Sequence, residues 1–319
     1  MTAFNLTTVA RRGWRRPRAG GGPAPRRRAP ASEQVTGWAF VTPGVAIIAL
    51  FGAVPIIWSA VMSFQHSNLL TPNTPFVGLK NYRQLAHDPI VGQAIGHTLI
   101  YTALFVPGAM IVGLFLAVAM NRNIRFIWLY RTAAYATMAI STISEAIVFI
   151  WLFDPSYGVA NYFLSLFGLP QQQFLNSPSQ ALYVIVIMTI WGWTGFSVVI
   201  YLAALQGVPP SLIEAAAIDG AGPWRTFRRV TLPLLSPASL FLAVWLTINA
   251  LQLFDEVYLS TQGGPLNATT VLVYYLYEQA FQDFNFGYAS AIAYVLFLVI
   301  VVVTAIQFRV GRRYTHYRS

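Results

Sequence analysis

Within one apolar run, Trp245, Asn249, Gln252 and Glu256 recur at i, i+4, i+7 and i+11, a spacing that sets them on one face of a helix. An aromatic platform beside amide and carboxylate groups is the chemistry that recognises a polyhydroxylated molecule such as a sugar. Asp255 lies off this stripe, near the end of the run. A second run holds Trp191, Trp193, Thr194, Ser197 and Tyr201, of which Trp191, Thr194, Ser197 and Tyr201 form a similar face, and a third holds Glu145 well inside it. Polar groups inside a lipid-embedded run are costly and turn toward the bundle interior or a cavity. Hydrogen bonding between helices would satisfy them as well as a solute would.

Catalysis has little to work with. The absence of cysteine excludes thiol nucleophiles, disulfides and sulfur-ligated metals. The four histidines, His66, His87, His97 and His316, are scattered, and none has metal-ligand spacing with another, so no metal is expected. His97, near the start of an apolar run, reads as a structural or interfacial residue. The only lysine, Lys80, stands between Leu79 and Asn81, so there is no phosphate loop, which needs Gly-Lys followed by Ser or Thr. An intramembrane enzyme would need a nucleophile–base pair or metal ligands on facing helices. No motif supplies either, and that class stays a distant alternative.

The elements that position these residues are helices in lipid. Of 319 residues, 56% are hydrophobic and 9% charged, whereas a soluble domain carries about 25% charged residues. A spanning helix needs about 20 predominantly apolar residues, and six segments qualify: 38–64, 96–120, 133–153, 181–204, 238–259 and 287–308. The expectation is an all-α membrane protein with six transmembrane helices. The N-terminal tail, the 121–132 loop, the 206–236 loop and the C-terminal tail hold 18 of the 20 basic residues, leaving only Lys80 and Arg83 for the other side. Basic loops stay inside, so both termini are read as cytoplasmic.

Residues 33–310 are therefore read as the six-helix domain, with 311–319 a short cytoplasmic tail. Residues 1–32, rich in Arg, Pro and Gly, are expected to be disordered. Eight of the arginines lie within 11–28 and account for most of the net charge of +10. With one aromatic residue, Trp14, in its Arg-rich stretch 11–28, this tail suits anionic lipid better than nucleic acid. It is not read as a cleaved signal, because the first apolar run is of full span length and lacks a small-residue cleavage site. On the outer side, Tyr274, Tyr275, Tyr277 and Phe281 suit the membrane–water boundary, and a role in receiving a partner protein stays open.

The 206–236 loop is laid out in a definite order. Ser211 and Glu214 have the spacing of a capping box, Ala215, Ala216 and Ala217 favour helix with little bulk, and Gly220 stops it. Pro223 suits the first turn of a second helix, Arg225, Arg228 and Arg229 hold that helix at the cytoplasmic face, and Pro233 and Pro237 mark the return to lipid.

Glu214-Ala215-Ala216, then Gly220, Val230 and Leu232-Pro233, resemble in residue and spacing the signature of binding-protein-dependent ABC importer permeases. PFVGLKNY (75–82), SLIEAAAIDGAGP (211–223), TQGGPLNATT (261–270) and the run 287–308 are similar to the permease subunits of sugar and glycerol-3-phosphate importers, first-permease type. The resemblance covers most of residues 38–310. It implies the type I ABC importer permease fold and a non-catalytic chain forming half of an alternating-access path in the bacterial cytoplasmic membrane. Ser211 to Gly222 would be the coupling helix seated on an ATPase subunit, with Glu214, Asp219 and Gly220 as key residues and Ala215 and Ala216 beside them.

The implied partners are two ATP-binding subunits, which hold the ATP-Mg, a second homologous permease in a heterodimer, and an external substrate-binding protein. No cofactor is implied for this chain. The absence of arginine from the apolar runs favours a sugar or oligosaccharide as solute, with glycerol-3-phosphate or glycerophosphodiesters as the alternative.

Overall fold

The computed structural model describes residues 31–68, 73–122 and 125–314, with side chains from 38 to 311. Apart from Ala31 and Ser32, which begin a helix, the basic N-terminal tail expected to be disordered lies outside the described residues, as do residues 315–319.

The chain divides after Pro55 into two compact units. α1 (Ala31–Ile48) and a π-helical turn (Ala49–Ala53) are followed by α2 (Val54–Met62), α3 (Lys80–His87), α4 (Pro89–Met120), α5 (Ile127–Ala136), α6 (Thr142–Leu152), α7 (Val159–Leu166) and α8 (Ala181–Gln206). Then come α9 (Pro210–Ile218), α10 (Pro223–Thr226), α11 (Leu232–Leu234), α12 (Ser236–Leu251), α13 (Asp255–Ser260), α14 (Leu272–Tyr277) and α15 (Phe286–Tyr314). The described residues contain no strand, only the isolated bridges Gln65–Phe76 and Asn68–Asn285.

Four stretches are each long and apolar enough to cross a membrane: Trp38–Met62, Pro89–Met120, Ala181–Gln206 and Phe286–Gly311. The third expected span is broken, Ile127–Ala139 and Thr142–Leu152 meeting at 103°, whereas Ser236–Leu251, which carries most of the fifth, is joined at 63° to Pro223–Leu234 of the preceding loop. The described residues thus hold four helices long and apolar enough to cross a membrane, or up to six if each bent pair is one span.

The run 133–153 breaks because Ile140 is extended and Ser141 caps the next helix, its hydroxyl accepting from the Ser144 N–H at 3.3 Å. The run 238–259 also fails to form one helix. α12 closes with the Gln252 N–H on the Asn249 carbonyl, and Phe254, at φ −143° and ψ −59°, is non-helical before α13 begins.

α4 and α8 form the most extensive helix pair. Gly113 is what allows their close approach, since a Cβ there would fall 2.3 Å from Ser197 Cβ, and small residues at such contacts let membrane helices pack backbone to backbone. Tyr101 and Phe105 of α4, Ile185 and Met188 of α8, and Leu242 and Leu246 of α12 fill the core between them.

α4 starts at Asp88, whose carboxylate accepts from the Ile90 N–H at 2.9 Å with Pro89 in the first turn, a strong N-terminal arrangement. The other oxygen of Asp88 accepts from the Tyr275 and Tyr288 hydroxyls at 2.7 Å each. Nearby, the Thr98 hydroxyl accepts from the Leu272 N–H at 3.1 Å and His97 Nδ1 lies 3.0 Å from the Thr270 carbonyl. Tyr274 and Tyr275 are buried at 3% and 6% exposure, and the hydroxyl of Tyr275 finds its partner inside the fold. Phe281 is exposed.

The motif 75–82 pins the first outer loop. Asn81 is buried and donates to the carbonyls of Ser63 and Gln65 at 2.8 and 3.0 Å, while the Tyr82 hydroxyl donates to Ser63 Oγ at 2.8 Å. The 261–270 loop closes on itself through Thr269 Oγ1 to the Gly264 carbonyl at 2.7 Å and Thr270 Oγ1 to the Gly263 carbonyl at 3.2 Å.

Candidate functional site

Two regions bring the sequence-predicted residues together. The first is the loop after α8. α9 starts at Pro210 behind Pro209, with no side-chain cap, so Ser211 falls inside the first turn and the expected capping box with Glu214 does not form. A proline at the first position has no N–H to satisfy and arrives with a helical φ, which removes the need for the box. At the other end Gly220 takes φ +73°. The Ala221 N–H donates to the Ala216 carbonyl at 2.9 Å and the Gly220 N–H to the Ala217 carbonyl at 3.0 Å, the paired bonds of a Schellman stop. Gly222 then precedes Pro223 at the start of α10.

This turn leaves its side chains uncovered by the rest of the chain. Ser211, Glu214, Ala215, Asp219, Gly220 and Gly222 are exposed and Ala216 is half-buried. Ile218 and Trp224 are 86% and 72% exposed, and Trp224 stacks on Phe227 with centroids 5.9 Å apart. Large exposed apolar side chains rimmed by charge mark a surface that another protein or lipid covers.

The second region is a cavity of about 180 Å³ lined by Tyr101 and Phe105 of α4, Thr142 of α6, Trp193 of α8, and Asn249, Gln252, Asp255 and Glu256. A neighbouring cavity of about 220 Å³ shares Thr142, Trp193 and Glu256 and adds Thr137, Ile140, Glu145, Gly192 and Phe196. Each exceeds the roughly 150 Å³ that accommodates a six-membered ring.

Both helix breaks build this site. The break at Ile140–Ser141 puts Thr142 on the lining, and the break after Gln252 brings Asp255 to it. The predicted single face on the fifth run therefore does not exist, although Asn249, Gln252 and Glu256 still meet. Trp245 is outside the lining, packed on Phe196 and Phe241 at 6.1 and 6.2 Å.

Most of the predicted face on α8 lies off the cavity, bonded within its own helix or packed on neighbouring ones. Thr194 donates to the Ile190 carbonyl at 2.6 Å, Ser197 is buried against Gly113, and the Tyr201 hydroxyl donates to Ser239 Oγ at 3.3 Å. Trp191 packs on Phe149 at 5.6 Å. Of that set only Trp193 reaches the cavity.

Glu145 is 8% exposed and its Oε1 has no hydrogen-bond partner within the protein. Gly192 makes its room, since a Cβ there would fall 2.5 Å from Glu145 Oε2. Tyr101, Phe105, Thr142 and Gly192 were absent from the sequence reading. Gly192, set between two tryptophans in an apolar run, was the visible signal of a close approach. Among the described residues, no group of three His, Cys, Asp or Glu could hold a metal ion.

Apolar helices around a polar cavity, with an exposed helical turn for a partner, define a membrane transport permease. The chain belongs to the family of binding-protein-dependent transport system inner membrane components, whose model matches residues 109–316. It is 36% identical over 284 residues to the lactose transport system permease protein LacF of Rhizobium radiobacter, covering 87% of this chain and 94% of that one. To the sn-glycerol-3-phosphate transport system permease protein UgpA of Yersinia pestis it is 36% identical over 282 residues, with 87% and 94% covered. A crystal structure of a bacterial ABC transporter involved in the import of the acidic polysaccharide alginate contains a chain that superposes with a TM-score of 0.80. That chain is 26% identical, and the match covers 89% of this chain and 98% of the other.

Proposed function

We propose that this chain is one of two different permease subunits of an ATP-driven importer in the bacterial cytoplasmic membrane, with six spans and both termini cytoplasmic. Two ATP-binding subunits hold ATP-Mg and drive the cycle, and an external binding protein delivers the solute. The chain has no phosphate loop of its own and makes or breaks no covalent bond. Its contribution is the difference in stability between an outward-open and an inward-open state.

The observation that carries this reading is the exposed turn from α9 to α10, rigidly stopped at Gly220 and flanked by Ile218 and Trp224. An element of that shape seats on a partner and moves with it. Glu214, Asp219 and Gly220 are proposed as its key residues. The cavity lined by Asn249, Gln252, Asp255, Glu256, Trp193 and Glu145 is the proposed solute path, and a sugar or oligosaccharide its solute. The UgpA relative keeps glycerol-3-phosphate as a second reading.

The test is Glu214→Gln in the reconstituted importer. The variant is expected to insert normally and to lose most solute uptake per ATP hydrolysed. Unchanged uptake, or purification of the intact complex without an ATPase, would overturn the assignment.

A further inference from the structure

The cavity has a one-sided charge. Glu145, Asp255 and Glu256 line it, and none of the residues around either lobe is lysine, arginine or histidine. Buried acids are ordinarily met by a cation or by hydrogen-bond donors. Glu145 meets neither inside the protein, because it is buried and its Oε1 is unpartnered. Gly192 keeps the space beside it clear, since any Cβ there would press on the carboxylate.

A carboxylate accepts hydrogen bonds and donates none. What completes Glu145 must therefore arrive with donors and without negative charge. Asn249 and Gln252, on the same lining, supply both donors and acceptors, and Trp193 supplies a flat apolar face on which a ring can lie.

We infer that Glu145 and Glu256 make the path a charge filter, admitting hydroxyl- or ammonium-bearing solutes such as neutral and amino sugars and turning away phosphorylated or acidic ones. This rests on the permease reading above and sharpens it. It separates the chain by solute charge from the UgpA relative, whose name gives it glycerol-3-phosphate, and from the structural neighbour that takes the acidic polysaccharide alginate. A low-dielectric cleft lined by one sign of charge changes the local concentration of mobile ions tenfold or more, so the filter acts before any specific contact forms.

The natural absence of cysteine makes the test direct and independent of the solute's identity. A single thiol is introduced as Thr142→Cys, which lines both lobes, or as Gln252→Cys, with Ser177→Cys on an exposed loop as reference. Membrane vesicles holding the full chain and its partners are treated with a cationic (trimethylammonio-ethyl) or an anionic (sulfonato-ethyl) methanethiosulfonate. Modification of this chain is followed by mass spectrometry.

The expected result is a cation-to-anion rate ratio, relative to Ser177→Cys, of about tenfold or more. It should fall severalfold in Glu145→Gln, in Glu256→Gln and further in the double variant. Equal rates for the two reagents would overturn the inference, and would also be the result if a partner permease supplied a compensating cation. A ratio unmoved by both glutamine variants, or no reaction at either lining position, would overturn it as well. Should the double variant fail to reach the membrane, the ratio in the otherwise native chain and in the single variants decides. Failure of the permease reading shows separately, as an importer purified without an ATPase, and leaves these rates unaffected.

Discussion

Asp88 joins three stretches of chain through one carboxylate, capping α4 with one oxygen and receiving Tyr275 and Tyr288 on the other. Burial by itself would raise its pKa. The two tyrosine hydroxyls and the backbone N–H groups of Ile90 and Val91 outweigh that and hold it below its ordinary value. The Tyr275 hydroxyl is pushed up, by burial first and then by the carboxylate it faces. Asp88→Asn is expected to cost about 1–3 kcal/mol, the usual range for losing hydrogen bonds to a charged group, read as a lower melting temperature of the purified chain. Because the folded pKa is depressed, this contribution is present above the unfolded value of about 3.9 and is lost as pH falls through the folded one. The variant should therefore show a smaller loss of stability between neutral pH and strong acid than the native chain does. None of this was legible in the sequence, where Asp88 is one acid in a loop and its partners lie 187 and 200 residues away.

At the scale of elements, proline and glycine carried the legible part. Pro209, Pro210, Gly220 and Pro223 announced α9 and α10, and the start and stop of α9 and the start of α10 fall where those residues put them. The capping box was misjudged because Pro210 already starts α9 without it. The breaks inside the third and fifth apolar runs were not legible, since Ile140, Ser141 and Gln252 to Phe254 include neither glycine nor proline. Mean hydropathy measures only how apolar a run is, and the breaks are set by local backbone, extended Ile140 before the Ser141 cap and non-helical Phe254 before α13. The polar residues that meet in the cavity were found by type, and those that do not, on the unbroken α8 and α12, pack elsewhere. Gly220→Val tests the loop as a unit. A β-branched residue at φ +73° is strained, so the turn between α9 and α10 should loosen. ATP hydrolysis is then expected to persist with solute uptake reduced at least severalfold, checked by measuring both in the same proteoliposomes.

Across the whole molecule, the distribution of arginines and the spacing of apolar runs made the membrane class readable before any coordinates. Composition counts what lipid and water will accept, and those two solvents dominate the outcome. What composition could not give is which apolar faces are finished. Ile218 and Trp224 stand uncovered by the chain on the short helices after α8, and a face of that kind is complete only when covered. A copy synthesised without its partner therefore carries a visible mark of being an orphan, of the sort that cellular proteases and chaperones recognise. Its abundance would then follow the supply of the partner rather than its own rate of synthesis. Pulse-chase in cells lacking the ATPase gene should show faster turnover of this chain, slowed by Trp224→Ser with Ile218→Ser; equal half-lives with and without the ATPase would remove the idea. The same two side chains that receive the motor would thus also keep the subunits of the importer in step.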